Sequence, residues 1–357
     1  MVADIVTRAE RGKYIGYASM GVTLGPALGP IIGGLLSQFL GWRSIFWFLT
    51  IFVGSMMLLM FLFFPETSRS VVGNGSVPPQ RWNASLMDII RRRRQRTSGV
   101  PLQTQTIAKR KRRPNPLEAV RIALEKEAGT ILLFGALLYA GFFSVLSSLP
   151  SQLKAKYDFN ALQIGLCYIP YGIGSLTSRW TVGSLIDWNF RRHARLLGIE
   201  IVKNRQQRLA DFPIEVARLQ ITLPLVYMGS VFIIIYGWVM DKRTNLAGPM
   251  VTLFFTGHTV TGAFSSLNTL VVDCNIESPA TAVAANNLFR CLFGAGAVAA
   301  AIPLVERIGM GWTCTFVAGI WLTFSPMLWA VYKWGYGWRE TKRLREDQKT
   351  RESKSTT

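Results

Sequence analysis

Long apolar runs separated by short polar breaks make up most of this chain. Eight runs are candidate crossings: Tyr14–Leu40, Ser44–Phe64, Gly129–Gln152, Leu162–Ile186, Leu219–Met240, Leu246–Val272, Thr281–Val305 and Gly311–Tyr332. Each is close to the ~20 residues that span ~30 Å of hydrocarbon. In that medium every backbone N–H and C=O needs a partner within the chain, so runs of this length predict helices. A membrane barrel would show alternating segments of about 10 residues instead. The pattern predicts an all-α integral membrane protein of about eight transmembrane helices.

The breaks set the expected organisation. Residues 1–64 hold two helices. Residues 65–128 form the one long polar insert, with Gly73-Asn74-Gly75, Pro78-Pro79 and two basic blocks, Arg91–Arg96 and Lys109–Arg113. Little apolar material is available there to build a core, so the expectation is a largely disordered loop, ending in a short amphipathic helix over 115–128. Residues 129–335 hold six helices, and 336–357 form a charged tail.

The net charge of +20 invites a nucleic-acid reading. Its distribution argues otherwise. Of the 40 Lys and Arg, 32 fall in alternate breaks and in the two termini. The positive-inside rule then puts both termini in the cytoplasm. The basic blocks of the insert are expected to hold that topology and to bind anionic lipid rather than nucleic acid. The sequon Asn83-Ala84-Ser85 lies on the same side, so no glycan is expected. Cys167, Cys274, Cys291 and Cys314 lack metal-like spacing and fit small apolar packing roles.

An internal echo points to a repeated architecture. Gly41-Trp42 precedes an aromatic helix with Phe46, Trp47 and Phe48, and Gly311-Trp312 precedes Phe316 and Trp321. If the whole is two six-helix halves, the first helix here is fifth in its half, and four helices would precede it. Gly25-Pro26-Ala27-Leu28-Gly29-Pro30-Ile31-Ile32-Gly33-Gly34 has the GxxxGPxxGG pattern. Asp4 with Glu10-Arg11-Gly12 precedes it, and Pro65-Glu66-Thr67 closes the second helix. Gly183-Ser184-Leu185-Ile186-Asp187-Trp188-Asn189-Phe190-Arg191-Arg192 approaches GxLxDRxGRR, with Trp188 and Phe190 in place of a basic residue and a glycine.

On these residues the chain resembles the major facilitator superfamily, in particular fungal twelve-helix drug:proton antiporters. Asp211-Phe212-Pro213-Ile214-Glu215 and Asn286-Asn287-Leu288-Phe289-Arg290-Cys291 resemble the subgroup exporting quinidine, polyamines and weak acids. The resemblance covers the whole chain as helices 5–12 of that fold. It implies proton-coupled efflux of drugs, polyamines or other small amphipathic compounds by alternating access, with the proton as coupling ion and no other cofactor. It also implies a monomer in the plasma membrane or, secondarily, the vacuolar membrane.

Individual residues carry the chemistry, each with a plainer alternative. Gly25, Gly29, Pro30, Gly33 and Gly34 let helices approach closely and form the expected gating motif, or simply pack. Gly183, Asp187, Arg191 and Arg192 form a cytoplasmic latch with Arg11, or Asp187 and Arg191 make a local pair four residues apart. Arg290, just inside the start of its helix, is a latch residue or reaches for the interface. Arg179 interrupts a crossing two turns from Asp187. His258 can bind a proton, or sits neutral in the core. Asp273 is a coupling acid or a helix-end surface group. Phe142, Phe143, Tyr168, Tyr171, Phe254, Phe255 and Phe264 offer aromatic surface to a substrate cation, or pack and face lipid. No HExxH, P-loop or GxSxG occurs, so an enzyme is not expected. The alternative from another class is a membrane protein that does not transport, as a sensor or inactive truncated product.

Overall fold

The computed structural model describes residues 11–64, 85–87, 89, 117–198, 212–275 and 278–355. Among them all regular structure is helical. The helices are α1 (Arg11–Leu40), α2 (Arg43–Phe63), α3 (Leu117–Ala123), α4 (Lys126–Tyr157), α5 (Ala161–Leu166), α6 (Ile169–Leu196), α7 (Ile214–Asp241), α8 (Ala247–Cys274), α9 (Pro279–Phe324) and α10 (Pro326–Ser355). Each expected crossing lies on these helices, and α3 falls where the short amphipathic helix is expected. The basic blocks and Asn83 of the insert lie outside the described residues.

The chain forms two units. One comprises residues 1–22, 32–114 and 203–205; the other comprises 23–31, 115–202 and 206–357. In the first unit, Gly41 turns the chain with φ 79°, a backbone that glycine adopts at least cost. Ser44 Oγ donates to Gly41 O at 2.6 Å and Leu36 O at 3.1 Å, tying α2 to α1. α2 has no buried residue. A helix apolar all round with its side chains outward suits hydrocarbon surroundings.

In the second unit α4, α6, α7, α8 and α9 form a bundle, with α10 along α4 and α7. Its core includes Phe134, Leu138, Leu149, Ile233, Tyr236, Leu267 and Trp321, each at most 2 % exposed. Trp321 Nε1 donates to Leu137 O at 3.2 Å, satisfying the one polar atom of a buried indole. At one end of the bundle Lys156 pairs with Asp241 at 3.3 Å, and Tyr157 OH donates to Thr244 O at 2.8 Å. Asp158, left-handed at φ 54°, closes α4. A reciprocal capping box of Asn160 and Gln163 then starts α5.

One predicted break is located and one predicted crossing divided. The break expected between Val305 and Gly311 lies at Gly309, with φ 82° and ψ 165°. That conformation is reserved for glycine, so the residue that bends the chain is the left-handed one and not the one before Trp312. The predicted crossing Leu162–Ile186 is also divided, because Pro170 cannot donate within a continuous helix and the chain turns at Cys167 and Tyr168.

Among the described residues four helical stretches are long and apolar enough by composition to cross a membrane: Arg43–Phe63, Lys126–Tyr157, Ile214–Asp241 and Ala280–Leu344. Gly25–Leu40 is a shorter apolar helix. α6 and α8 are more polar. Ser175, Ser178, Thr256, Thr259 and Ser266, all buried, account for much of that difference.

Replacing Gly309 by alanine forces a side chain into a glycine-only conformation. We expect it to destabilise the purified chain by about 1–3 kcal/mol, read as a lower thermal unfolding midpoint in detergent. Gly319→Ala, with open space around its Cβ and ordinary helical backbone, should leave the midpoint unchanged or raise it.

Candidate functional site

The glycine-rich helix shows an unexpected division of labour. A Cβ on Gly25, Gly29 or Gly33 would meet nothing within 4 Å. Gly34 is buried. The close approach within the second unit is provided from the other side. A Cβ at Gly165 would collide with Pro30 O, and one at Gly172 would overlap the Ala27 methyl. Ala27 and Pro30 therefore sit against glycines of α5 and α6. Pro26 and Pro30 both lie inside α1, which runs on to Leu40.

The latch residues are placed less tightly. Asp187, Arg191 and Arg192 are exposed. No ion pair joins Asp187 to Arg191 among the described residues, so the local pair considered from sequence is not formed. Arg192 lies over the Trp188 ring at 5.8 Å. Gly183 has open space around it, and the Arg11 side chain lies outside the described residues. Asn189 does what the motif did not announce. It is buried, and its Nδ2 donates to Ala217 O at 2.7 Å and Gln220 Oε1 at 3.1 Å. His193 Nε2 meets the same Gln220 oxygen at 2.8 Å. This end of α6 is thereby fastened to α7.

Charge collects at that end of the bundle. Asp273 Oδ2 accepts from Arg218 at 3.0 and 3.2 Å, so it is an ion-paired helix end. Glu215 has a fully buried side chain, and Arg339 Nε lies 3.0 Å from its Oε1. The same guanidinium donates to Phe212 O at 2.6 Å. Lys342 bridges Glu125 at 2.7 Å and Asn275 at 3.2 Å. Cys274, expected as an apolar packing residue, instead donates its thiol to Glu127 Oε1 at 2.9 Å. The ligand atoms of Glu127, Glu215 and Cys274 lie within 4.8 Å of one another. Arg339 already sits against Glu215, which supplies the positive charge a cation would bring. The network ties α4, α7, α8 and α10 together.

Mid-depth polar residues form a second region, on α4, α6, α8 and α9. His258 meets Thr177 Oγ1 through Nδ1 at 3.1 Å and Thr181 Oγ1 through Nε2 at 3.3 Å. A neutral ring that donates to one hydroxyl and accepts from the other is thereby satisfied. Phe254 stacks beside it at 6.4 Å. A Cβ at Gly174 would strike Phe254 O, so α6 and α8 touch backbone to backbone here. Tyr168 is buried and donates to Leu146 O at 3.0 Å, a link between α6 and α4. Ser175 and Thr261 hydroxyls meet at 3.1 Å. Arg179 is half-buried on the same helix as Thr177.

Arg290 is not at the start of its helix as expected. At about 1.5 Å per residue it lies about 16 Å along α9 from Pro279. The expected run already begins at Thr281, two residues after Pro279, so the helix start is close to expectation and Arg290 is set too near it. The Arg290 guanidinium lies over Tyr139 at 4.9 Å and Phe264 at 5.8 Å. Tyr139 stacks on Phe143 at 4.1 Å, Phe143 is edge-on to Phe142, and Phe142 meets Tyr171 at 5.4 Å. Arg290, Phe142 and Tyr171 thus share one aromatic run, while Asp273 stands apart with Arg218. Tyr139 is the residue the sequence reading missed. Its spacing of three and four from Phe142 and Phe143 was the available signal.

Residues 1–300 match the family model described as Major Facilitator Superfamily. An MFS-type transporter of Phoma sp. is 48% identical over 337 residues, covering 94% of this chain and 64% of that protein. MFS-type transporter clz19 of Cochliobolus lunatus is 45% identical over 350 residues, with 98% and 66% covered. Citrate exporter 1 of Aspergillus niger is 33% identical over 355 residues, with 97% and 66% covered. The chain spans just under two thirds of the length of these relatives.

Removing the cation beside Glu215 should be costly. Arg339→Ala leaves a buried carboxylate unpaired, and we expect a loss of about 3–5 kcal/mol, measured by denaturant unfolding in micelles. Adding Glu215→Gln to the same chain should recover most of it, since the uncompensated charge is then gone.

Proposed function

The chain belongs to the major facilitator superfamily, a family of non-enzymatic transporters, and from that premise we propose that it acts in proton-coupled efflux of small amphipathic compounds by alternating access. It is a multi-pass membrane protein. The observation that carries the reading is the mid-depth band of polar and aromatic side chains on α4, α6, α8 and α9. A midplane site among broken or polar helices is where secondary transporters hold substrate. Arg179, His258 and Arg290 are there despite the cost of ionisable groups in hydrocarbon. A passive anchor has no use for them.

In this reading the close seat of Ala27 and Pro30 on Gly172 and Gly165 seals the closed pathway, and exposed Asp187 is the latch on the cytoplasmic side. Both termini are cytoplasmic, and the basic insert lies against anionic lipid. The plasma membrane is the proposed home. Of the relatives named above, only the Aspergillus niger protein carries a compound in its name, citrate.

The test is flux in proteoliposomes holding this chain. A panel of labelled organic acids and organic cations is offered with and without an imposed proton gradient. We expect at least one compound to move against its own gradient and to stop when a protonophore is added. Equal retention of every compound in both conditions would remove the transport reading.

A further inference from the structure

Arg290 is a charge without a carboxylate. Among the described residues no Asp or Glu pairs with it, and its Nε is buried with no hydrogen-bond partner. What answers the charge is two aromatic faces, Tyr139 and Phe264. Such contacts are worth about 0.5–2 kcal/mol each, much less than a desolvated guanidinium loses by leaving water.

Packing argues against the simplest explanation, a side chain reaching for the headgroups, because the guanidinium is held on two rings with its Nε buried. The Glu127–Cys274 hydrogen bond puts the start of α4 and the end of α8 at one end of the bundle. Ser278 N donates to Asn275 O, so α9 starts there too. From that end Phe264 lies about 15 Å in, Arg290 about 16 Å and Tyr139 about 20 Å, at about 1.5 Å per residue. The three meet inside the bundle, about a third to two fifths of the way along α4 from its start.

No acid stands close to Arg290 along α9. Asp187 on α6 stands eight residues beyond Arg179, and Glu306 stands sixteen residues beyond Arg290 on α9, about 24 Å along the axis. Cationic guests, polyamines among them, would meet repulsion here. An anion would supply the missing counter-charge.

We propose that Arg290, backed by Tyr139 and Phe264, binds the carboxylate of a small amphipathic organic anion. Its guanidinium presents paired N–H donors to a planar carboxylate. The run Tyr139, Phe143, Phe142 and Tyr171 supplies an aromatic wall for the apolar body of the same molecule. Asn286, hydrogen-bonded to Asn268 at 2.9 Å, adds a polar amide pair one turn before Arg290. The site is built to order: a Cβ at Gly294, one turn beyond Arg290, would press on the Tyr139 ring at 3.2 Å. Glycine there leaves room for the ring to lie along α9. A wholly hydrophilic polyacid gains nothing from such a wall. The proposal names the substrate class of the transporter reading, and rests on it for its biological purpose.

The experiment reads binding, so it needs neither flux nor a gradient. The chain is placed in lipid nanodiscs and titrated calorimetrically with 1-naphthoate, 1-naphthylmethylammonium and citrate, with empty nanodiscs as the blank. We expect saturable naphthoate binding, with the cation and citrate at least tenfold weaker. Arg290→Gln should weaken naphthoate tenfold or more, the scale of one lost charge-assisted hydrogen bond, and Arg290→Lys should recover part. Tyr139→Leu should also weaken it, with the unliganded thermal midpoint confirming that each variant folds. Should a variant fail to fold, the ranking of the three probes on the unaltered chain still decides. No naphthoate binding, preference for the ammonium, or full affinity in folded Arg290→Gln overturns the site. Citrate matching naphthoate overturns the amphipathic assignment. Binding without gradient-driven movement instead removes the transporter reading and leaves the site standing.

Discussion

A charge inside hydrocarbon must be answered by the protein, because water is not there to do it. This constraint organises the second unit. At the Glu127 end four acids that are at least partly buried have a donor group close by: Arg339 for Glu215, Arg218 for Asp273, Lys342 for Glu125 and the Cys274 thiol for Glu127. Each of the three basic partners comes from a different helix than its acid, or from its far end. The pairs therefore fix helix positions as well as charge. At mid-depth the same constraint is met differently, by ring faces and hydroxyls.

The difference between the two regions has a mechanical meaning. A buried ion pair with good geometry has little to gain from a visitor. Its partner is already in place, and exchanging it costs desolvation twice. Arg290 is in the opposite condition: its position is fixed by packing on Tyr139 and Phe264, and its charge is left for something else. Preorganised donors lose little on binding. Locking the ends of α4, α7, α8 and α10 while leaving one central charge unanswered is how a rigid frame comes to hold a responsive site.

Much of this was legible in the sequence, and the limits were physical. Apolar runs gave the helices because hydrocarbon leaves the backbone no other choice. The glycine pattern located the close approach between α1 and its neighbours, yet the partners in contact are Gly165 and Gly172, against Ala27 and Pro30. A one-dimensional pattern says that a helix is smooth, not which of two smooth surfaces yields. Glu215 with Arg339, and Glu127 with Cys274, were not legible at all. Those residues are far apart in sequence, and only the return of α8 and α10 to the start of α4 brings them together. Arg290 was found as an interruption but set too near the start of its helix, although the run from Thr281 already put nine residues before it; what the pattern could not show was the pair of rings, Tyr139 and Phe264, that receive it.

The relative polarity of α6 and α8 follows from the same constraint. By composition neither holds a stretch apolar enough to count as a candidate span, unlike α4, α7 and α9, and a hydropathy argument counts that against them. Their polar side chains are spent inward: Thr177 and Thr181 on His258, Ser175 on Thr261, and Asn189 on α7. A helix can afford such residues only where other helices cover them. Low hydropathy in a helix of this length is therefore a sign of position, next to the interior of the bundle and away from lipid. α2 makes the converse case, since it is the most uniformly apolar helix and has no buried residue. In a membrane protein the helices that look least like membrane spans are the ones to search for chemistry, and here they flank Arg290, a partly buried guanidinium for which the described residues provide no counter-charge.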